Sequence, residues 1–194
     1  MSFISDYLNE VELIVKNLDK VIIEEIIEVL IKLKSEKGRL FILGVGGSAG
    51  NAGHAVNDFR KLASIEAYSP TDNISEVTAR TNDEGFDTIF TGYLAVSKLK
   101  SEDCILILSV GGGDLGRNIS RNLCLAIDFA KSKNSTVIGI VGKKEGCTAM
   151  HADICLVIPQ VNPLNITPHS EAFQAMIWHL MVSHPKLKEN ATKW

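Results

Sequence analysis

The chain has 194 residues, 45% of them hydrophobic and 22% charged, which suits one globular domain with a sizeable core and excludes a disordered chain. Its 20 lysines and arginines against 23 aspartates and glutamates leave a formal charge of -3, so no basic excess points to nucleic acid and no acidic tail to a solvating arm. Aromatic residues, at 6%, are poor material for base stacking, and charge interrupts every apolar window (as between Val21 and Lys34), so no membrane span is expected.

The N-terminus lacks the basic start and apolar run of a secretory signal. Residues 3–36 then carry Val11, Ile14, Leu18, Val21, Ile22, Ile26, Val29, Leu30 and Leu33 at helical spacing, which predicts one long leading helix. Ile23, Ile27 and Ile31 widen its apolar surface beyond one stripe, so the helix is expected to meet a second subunit as well as its own core. Gly38 ends it, and residues 39–45 read as a buried strand. A glycine-rich turn, a helix over 48–64 and a short strand at 65–69 follow, then a loop at Pro70, Asp72 and Asn73. Helices are predicted over 74–80 and 86–99, a strand over 104–108, a second glycine loop at 110–113 and a helix from there to 132. A strand over 136–141, a loop at 142–146, a short helix and a strand over 154–158 complete the alternation. The last helix is expected to be capped by Thr167 with Pro168 at its first position, running to about Ser183.

Continuous apolar strands joined by helices predict an α/β fold: a three-layer α/β/α sandwich with a parallel sheet, covered on both faces. No linker or second core interrupts it, so residues 1–194 form one domain, with a leading helix over about 3–36 and a core over about 38–184. Ligands of such sheets bind where loops leave the carboxyl ends of strands, and both glycine loops lie there. Cys104, Cys124 and Cys155 fall in apolar runs and read as buried free thiols of a reducing, cytoplasmic compartment. Cys147 follows Gly146 in a loop where reactivity is conceivable, although nothing nearby would stabilise a thiolate.

The first loop is Gly44-Val45-Gly46-Gly47-Ser48-Ala49-Gly50. Its glycines let backbone approach an anion, the following helix start points free N–H groups at it, and Ser48 adds a hydroxyl. It also fits a variant dinucleotide fingerprint, Gly44-x-Gly46-x-x-Ala49, with Glu66 about 20 residues on. The second loop, Ser109-Val110-Gly111-Gly112-Gly113-Asp114, ends on a carboxylate that either caps a helix or repels a bound phosphate. His54 and Asp58, four apart on a helix, share a face and suit acid–base chemistry or a divalent metal. Glu171 and His179 rotate only about 80° apart on the last helix but rise about 12 Å, which strains their joint reach to one ion.

The stretch from Leu43 through His54 to Asp58 resembles the first sugar-phosphate loop of sugar isomerase (SIS) domains, and is most similar to that of phosphoheptose isomerases, which convert sedoheptulose 7-phosphate to a heptose phosphate. The resemblance extends over almost the whole chain. It sets aside the dinucleotide reading, so no nucleotide cofactor is expected. It places the family's catalytic glutamate on Asp58 and its catalytic histidine on His179, with the family's Gly-Asn-Asp falling on Thr81-Asn82-Asp83. It implies that Gly46, Gly47, Ser48, Asn82, Asp83, Ser109, Asp114 and Glu171 surround the sugar phosphate. It further implies zinc on His54, Asp58, Glu171 and His179, and a homotetramer with sites at subunit interfaces. The departures are specific. Val110, Gly111 and Asp114 replace loop hydroxyls, Asp58 shortens the base by one methylene, and Glu171 replaces a glutamine. Two functions follow: an aldose–ketose isomerase of a phosphorylated sugar, with Asp58 and His179 as base and acid, or a non-catalytic SIS module that binds a sugar phosphate or nucleotide sugar. The histidine–carboxylate quartet favours the first, and the lost hydroxyls favour the second.

Overall fold

The computed structural model describes residues 2–192. Five strands, β1 (Leu40–Gly44), β2 (Ala67–Tyr68), β3 (Cys104–Ser109), β4 (Thr136–Val141) and β5 (Ile154–Val157), form one parallel sheet in the order β2-β1-β3-β4-β5. Around it lie α1 (Phe3–Asn17), α2 (Lys20–Ser35), α3 (Gly47–Ala63), α4 (Ile74–Asp83), α5 (Ile89–Val96), α6 (Arg121–Ser132), α7 (Cys147–His151) and α8 (Ile166–Ser183). This is the expected three-layer sandwich. β1 and β3 are buried along their whole length, which is why they read as unbroken apolar runs. Their two-residue alternation then sorts the core. Leu40, Ile42, Leu106 and Leu108 face the layer of α2, α3 and α8, while Phe41, Leu43, Ile105 and Ile107 face α5 and α6.

Several boundaries differ from expectation. The leading helix is two helices, broken at Leu18, whose backbone is extended; Asp19 then caps α2 by accepting from the amides of Val21 and Ile22. The apolar period runs on through this break, so periodicity alone conceals it. The second glycine loop does not open directly into a helix. Residues 114–120 form a turn closed by paired hydrogen bonds between Asp114 and Ile119, and α6 starts only at Arg121. Thr167 does not cap α8. A 3-10 turn at Pro163–Asn165 leads in, Asn165 takes the cap position, and Pro168 stands inside the first turn, where its missing N–H costs nothing.

Cys124 and Cys147 are not thiols but a disulfide. α6 and α7 pack side by side on the same face of the sheet and bring the two Cα atoms to 5.5 Å, within bridging range. That adjacency is tertiary and leaves no mark in a spacing of 23 residues. Cys104 and Cys155 are free, as expected; burial holds the Cys104 thiol far above its ordinary range and pushes Cys155 up to about 12, so both stay protonated. No helix among the described residues is long and apolar enough to cross a membrane.

Candidate active site

The strand order puts a switch point between β1 and β3: the chain leaves β1 toward β2 on one side and leaves β3 toward β4 on the other. Both glycine loops depart from the carboxyl ends of these two neighbouring strands, so they border one crevice. Gly46 caps α3 with φ 64°, and Gly112 and Gly113 hold φ 75° and 82°, backbone that a side chain would strain. Ser48 is buried, and its hydroxyl has no hydrogen bond among the described residues. Ser109 shapes its own loop, its Oγ accepting from the Gly112 amide at 2.9 Å. The loop is tied down from below by Thr148, whose amide and hydroxyl both donate to the Gly112 carbonyl, and by the Cys147 amide, which donates to Gly113.

α3 and α8 pack against each other and run in the same direction. Gly47 lies against Glu171, Asn51 donates to the Glu171 carbonyl and to Gln174, His54 meets Trp178, and Asp58 meets His179. His54, Asp58 and His179 therefore converge, with one donor atom from each lying within 4.8 Å of the others. His179 Nδ1 is 2.8 Å from the Ala175 carbonyl, which can only accept, so Nδ1 carries hydrogen and Nε2 is left to face Asp58 Oδ2 at 3.8 Å. His179 is half exposed, not a core histidine; the neighbouring Trp178 is the fully buried residue of that turn. Asp58 also accepts from Asn57 at 2.8 Å.

Glu171 does not join this group, because the rise along α8 carries it away from His179. Its carboxylate rests on the first turn of α3, where a Cβ on Gly47 would come within 2.5 Å of it. There it answers the partial positive charge of the helix start. The expected four-residue metal set is thus three residues. Two imidazoles and one carboxylate suit zinc with a fourth position open, and the bond from His179 Nδ1 to a carbonyl would orient Nε2 toward such an ion.

Asp114 does not cap a helix; it lines the cleft beside the second loop, paired with its own turn. It accepts from the Arg117 amide at 2.9 Å and pairs with the Arg117 side chain at 3.6 Å. Asn82 and Asp83 are exposed at the end of α4 and bond to each other, and neither lines the cleft nor belongs to the histidine group. Sequence reasoning missed two groups. Arg117 and Lys143 line a cleft beside the second loop. On its far wall, Glu10 of α1 accepts from Asn162, Asn165 and His169 at 2.6–2.8 Å and anchors the segment that closes the cleft. An aspartate three residues before an arginine, and a lysine two residues after the carboxyl end of β4, were the available signals; both resemble ordinary surface charge.

No protein-family model matches the chain. A phosphoheptose isomerase of Rhodospirillum rubrum is 30% identical over 149 residues, 74% of this chain and 73% of that protein. The lincomycin biosynthesis protein LmbN of Streptomyces lincolnensis is 30% identical over 154 residues, but the chain spans only 56% of its length. Among solved structures, the phosphoheptose isomerase GmhA of Neisseria gonorrhoeae superposes with a TM-score of 0.77 over 92% of both chains at 22% identity, which shows the shared fold. The chain belongs to the phosphoheptose isomerase family of SIS domains.

Proposed function

We propose that this member of the phosphoheptose isomerase family, a sugar-phosphate isomerase, interconverts sedoheptulose 7-phosphate and an aldoheptose 7-phosphate. The observation that carries the reading is the convergence of His54, Asp58 and His179 on one side of paired helices whose starts border the glycine-loop crevice. The loops take the anionic end of the sugar: Ser48 and Ser109 offer hydroxyls, and the backbone about Gly46 and Gly47 offers the approach. The carbonyl end extends along α3 and α8 toward the histidines.

The chemistry is a proton shift. A base takes a proton from C1 of the ketose, the electron pair forms the C1–C2 double bond of an enediol, and the C2 oxygen gains a proton. Collapse returns a proton to C2, and the C1 hydroxyl loses its own as the aldehyde forms. Asp58 is the base and His179 the acid, with Nε2 the atom that gives and regains the proton, since Nδ1 is held by Ala175. In a zinc-loaded site His54, Asp58 and His179 Nε2 would instead be the ligands, and the ion, not the imidazolium, would supply the positive charge for the carbonyl and enediolate oxygens. Glu171, at the start of α3, orients the sugar hydroxyls and is no metal ligand in this reading.

The two histidines are exposed in a single chain, and Met176 and Leu180 lie exposed beside His179. A second copy covers them in our reading, as part of a homotetramer, and Asn82 and Asp83 reach a site only from such a neighbour. We place the enzyme in the cytoplasm on the sugar-phosphate reading alone, since the Cys124–Cys147 disulfide removes the free-thiol argument for a reducing compartment. The alternative, a binding module without turnover, draws on the Glu171 carboxylate and Asp114 beside the loops, both adverse to phosphate. An assay with sedoheptulose 7-phosphate, before and after chelation and zinc addition, separates them. Turnover supports the isomerase, whereas binding without turnover in both states establishes the module.

A further inference from the structure

A cleft of about 260 Å³ opens between the second glycine loop and the segment at 163–167. Arg117, Lys143 and Asp114 line it, and a second cleft of about 190 Å³ shares these three side chains and is lined by the Glu145 carboxylate as well. We propose that Arg117 and Lys143 are the specificity residues that anchor the phosphate of the substrate, with Asp114 holding Arg117 in place until the phosphate arrives. The inference rests on the sugar-phosphate reading and extends it to residues outside the resemblance.

The loop alone is a weak anion cradle. Of its former hydroxyls only Ser109 keeps one, and its oxygen already accepts from Gly112. Gly111 and Gly113 line the cleft with amides that make no hydrogen bond among the described residues. Two amides and one shared hydroxyl leave most of the charge of a phosphate dianion unanswered, and Asp114 adds a negative charge beside it. The two cations reverse that balance. Lys143 is exposed and has no ion pair among the described residues. Arg117 is 78% exposed, and its 3.6 Å contact to Asp114 is long and in water, so exchanging it for a phosphate costs little. The guanidinium gains a bidentate partner in the exchange, while Asp114 keeps its bond to the Arg117 amide and stays in the turn. Such an anchor selects a phosphate monoester over an uncharged sugar. Unlike a ring of hydroxyls, it weakens with salt.

The test is calorimetric titration of the full chain with inorganic phosphate and with sedoheptulose 7-phosphate, at low and at physiological ionic strength, in wild type, Arg117→Gln, Lys143→Gln and Asp114→Asn. Thermal melts establish that each variant is folded. Loss of either cation should weaken both probes about tenfold and flatten the salt dependence. Asp114→Asn keeps an acceptor for the turn and should tighten binding about threefold. Affinity unchanged in both cation variants, salt-independent binding by wild type, or no binding of either probe would overturn the anchor. The two readings fail separately. Phosphate binding that depends on Arg117 and Lys143 without sugar turnover removes the substrate and keeps the anchor. Normal turnover and affinity in both cation variants removes the anchor and keeps the substrate.

Discussion

Glu10 is the carboxylate whose ionisation the fold shifts furthest among the described residues. Hydrogen bonds from Asn162, then Asn165 and His169, lower its carboxyl from the ordinary 4.5 to about 2. A folded value below the unfolded one means that the charged form is favoured by folding. The contribution is complete above pH 4.5 and disappears as the pH falls through about 2. Wild type should therefore melt above Glu10→Gln at neutral pH, with the gap closing between pH 4.5 and 2; a gap constant across that range would refute the network. Glu171 makes a second residue-scale case. Its carboxylate at the start of α3 was legible as an added negative charge, but its place was not, because side-chain direction over a 12 Å rise depends on how α8 registers against α3. Glu171→Gln should lower stability in urea by about 0.3–1 kcal/mol through the helix dipole. Equal stability would place the carboxylate elsewhere.

Among the elements, β1, β3 and β4 were legible because burial on both faces demands unbroken apolar sequence. The shared face of His54 and Asp58 was legible from helical spacing, and their convergence with His179 follows from α3 and α8 running side by side. What escaped was whatever depends on one element meeting another. The break at Leu18 sits in an uninterrupted apolar period, and the 114–120 turn looks like the start of a helix. The Cys124–Cys147 bond joins two elements whose contact no local pattern announces. That bond ties α6 to α7 beneath the second loop, and Cys124 Sγ would lie 2.9 Å from a Cβ on Gly113. Reduction should lower the stability of the folded chain by about 2–4 kcal/mol, from the loop it closes. Denaturation with and without reductant measures this, and an unchanged midpoint would mean that the bond does not form in solution.

For the whole molecule, apolar residues are exposed at many places, and two groups stand out: a series on the leading helix and a pair beside the histidines. Phe3, Ile4, Leu8 and Val15 are exposed on α1, and Met176 and Leu180 on α8. Scattered apolar exposure is ordinary, but a series along one helix is the kind of surface that a second copy would cover in the proposed tetramer. The two-sided apolar pattern of the leading segment has another cause in α2, where Ile23, Ile26, Ile27 and Leu30 are buried against the chain's own sheet, so a contact with a second copy would fall chiefly on α1. Light scattering at micromolar concentration should give a tetramer; a monomer would leave His54 and His179 open to water and remove the shared site. The most direct measurement of the central claim is proton exchange during turnover. Sedoheptulose 7-phosphate incubated with the enzyme in heavy water should gain deuterium at carbon in the proton NMR spectrum. Asp58→Asn and His179→Ala, both folded, should slow that exchange by about a hundredfold or more. Exchange absent from wild type, or undiminished in both variants, would contradict an isomerase working through Asp58 and His179.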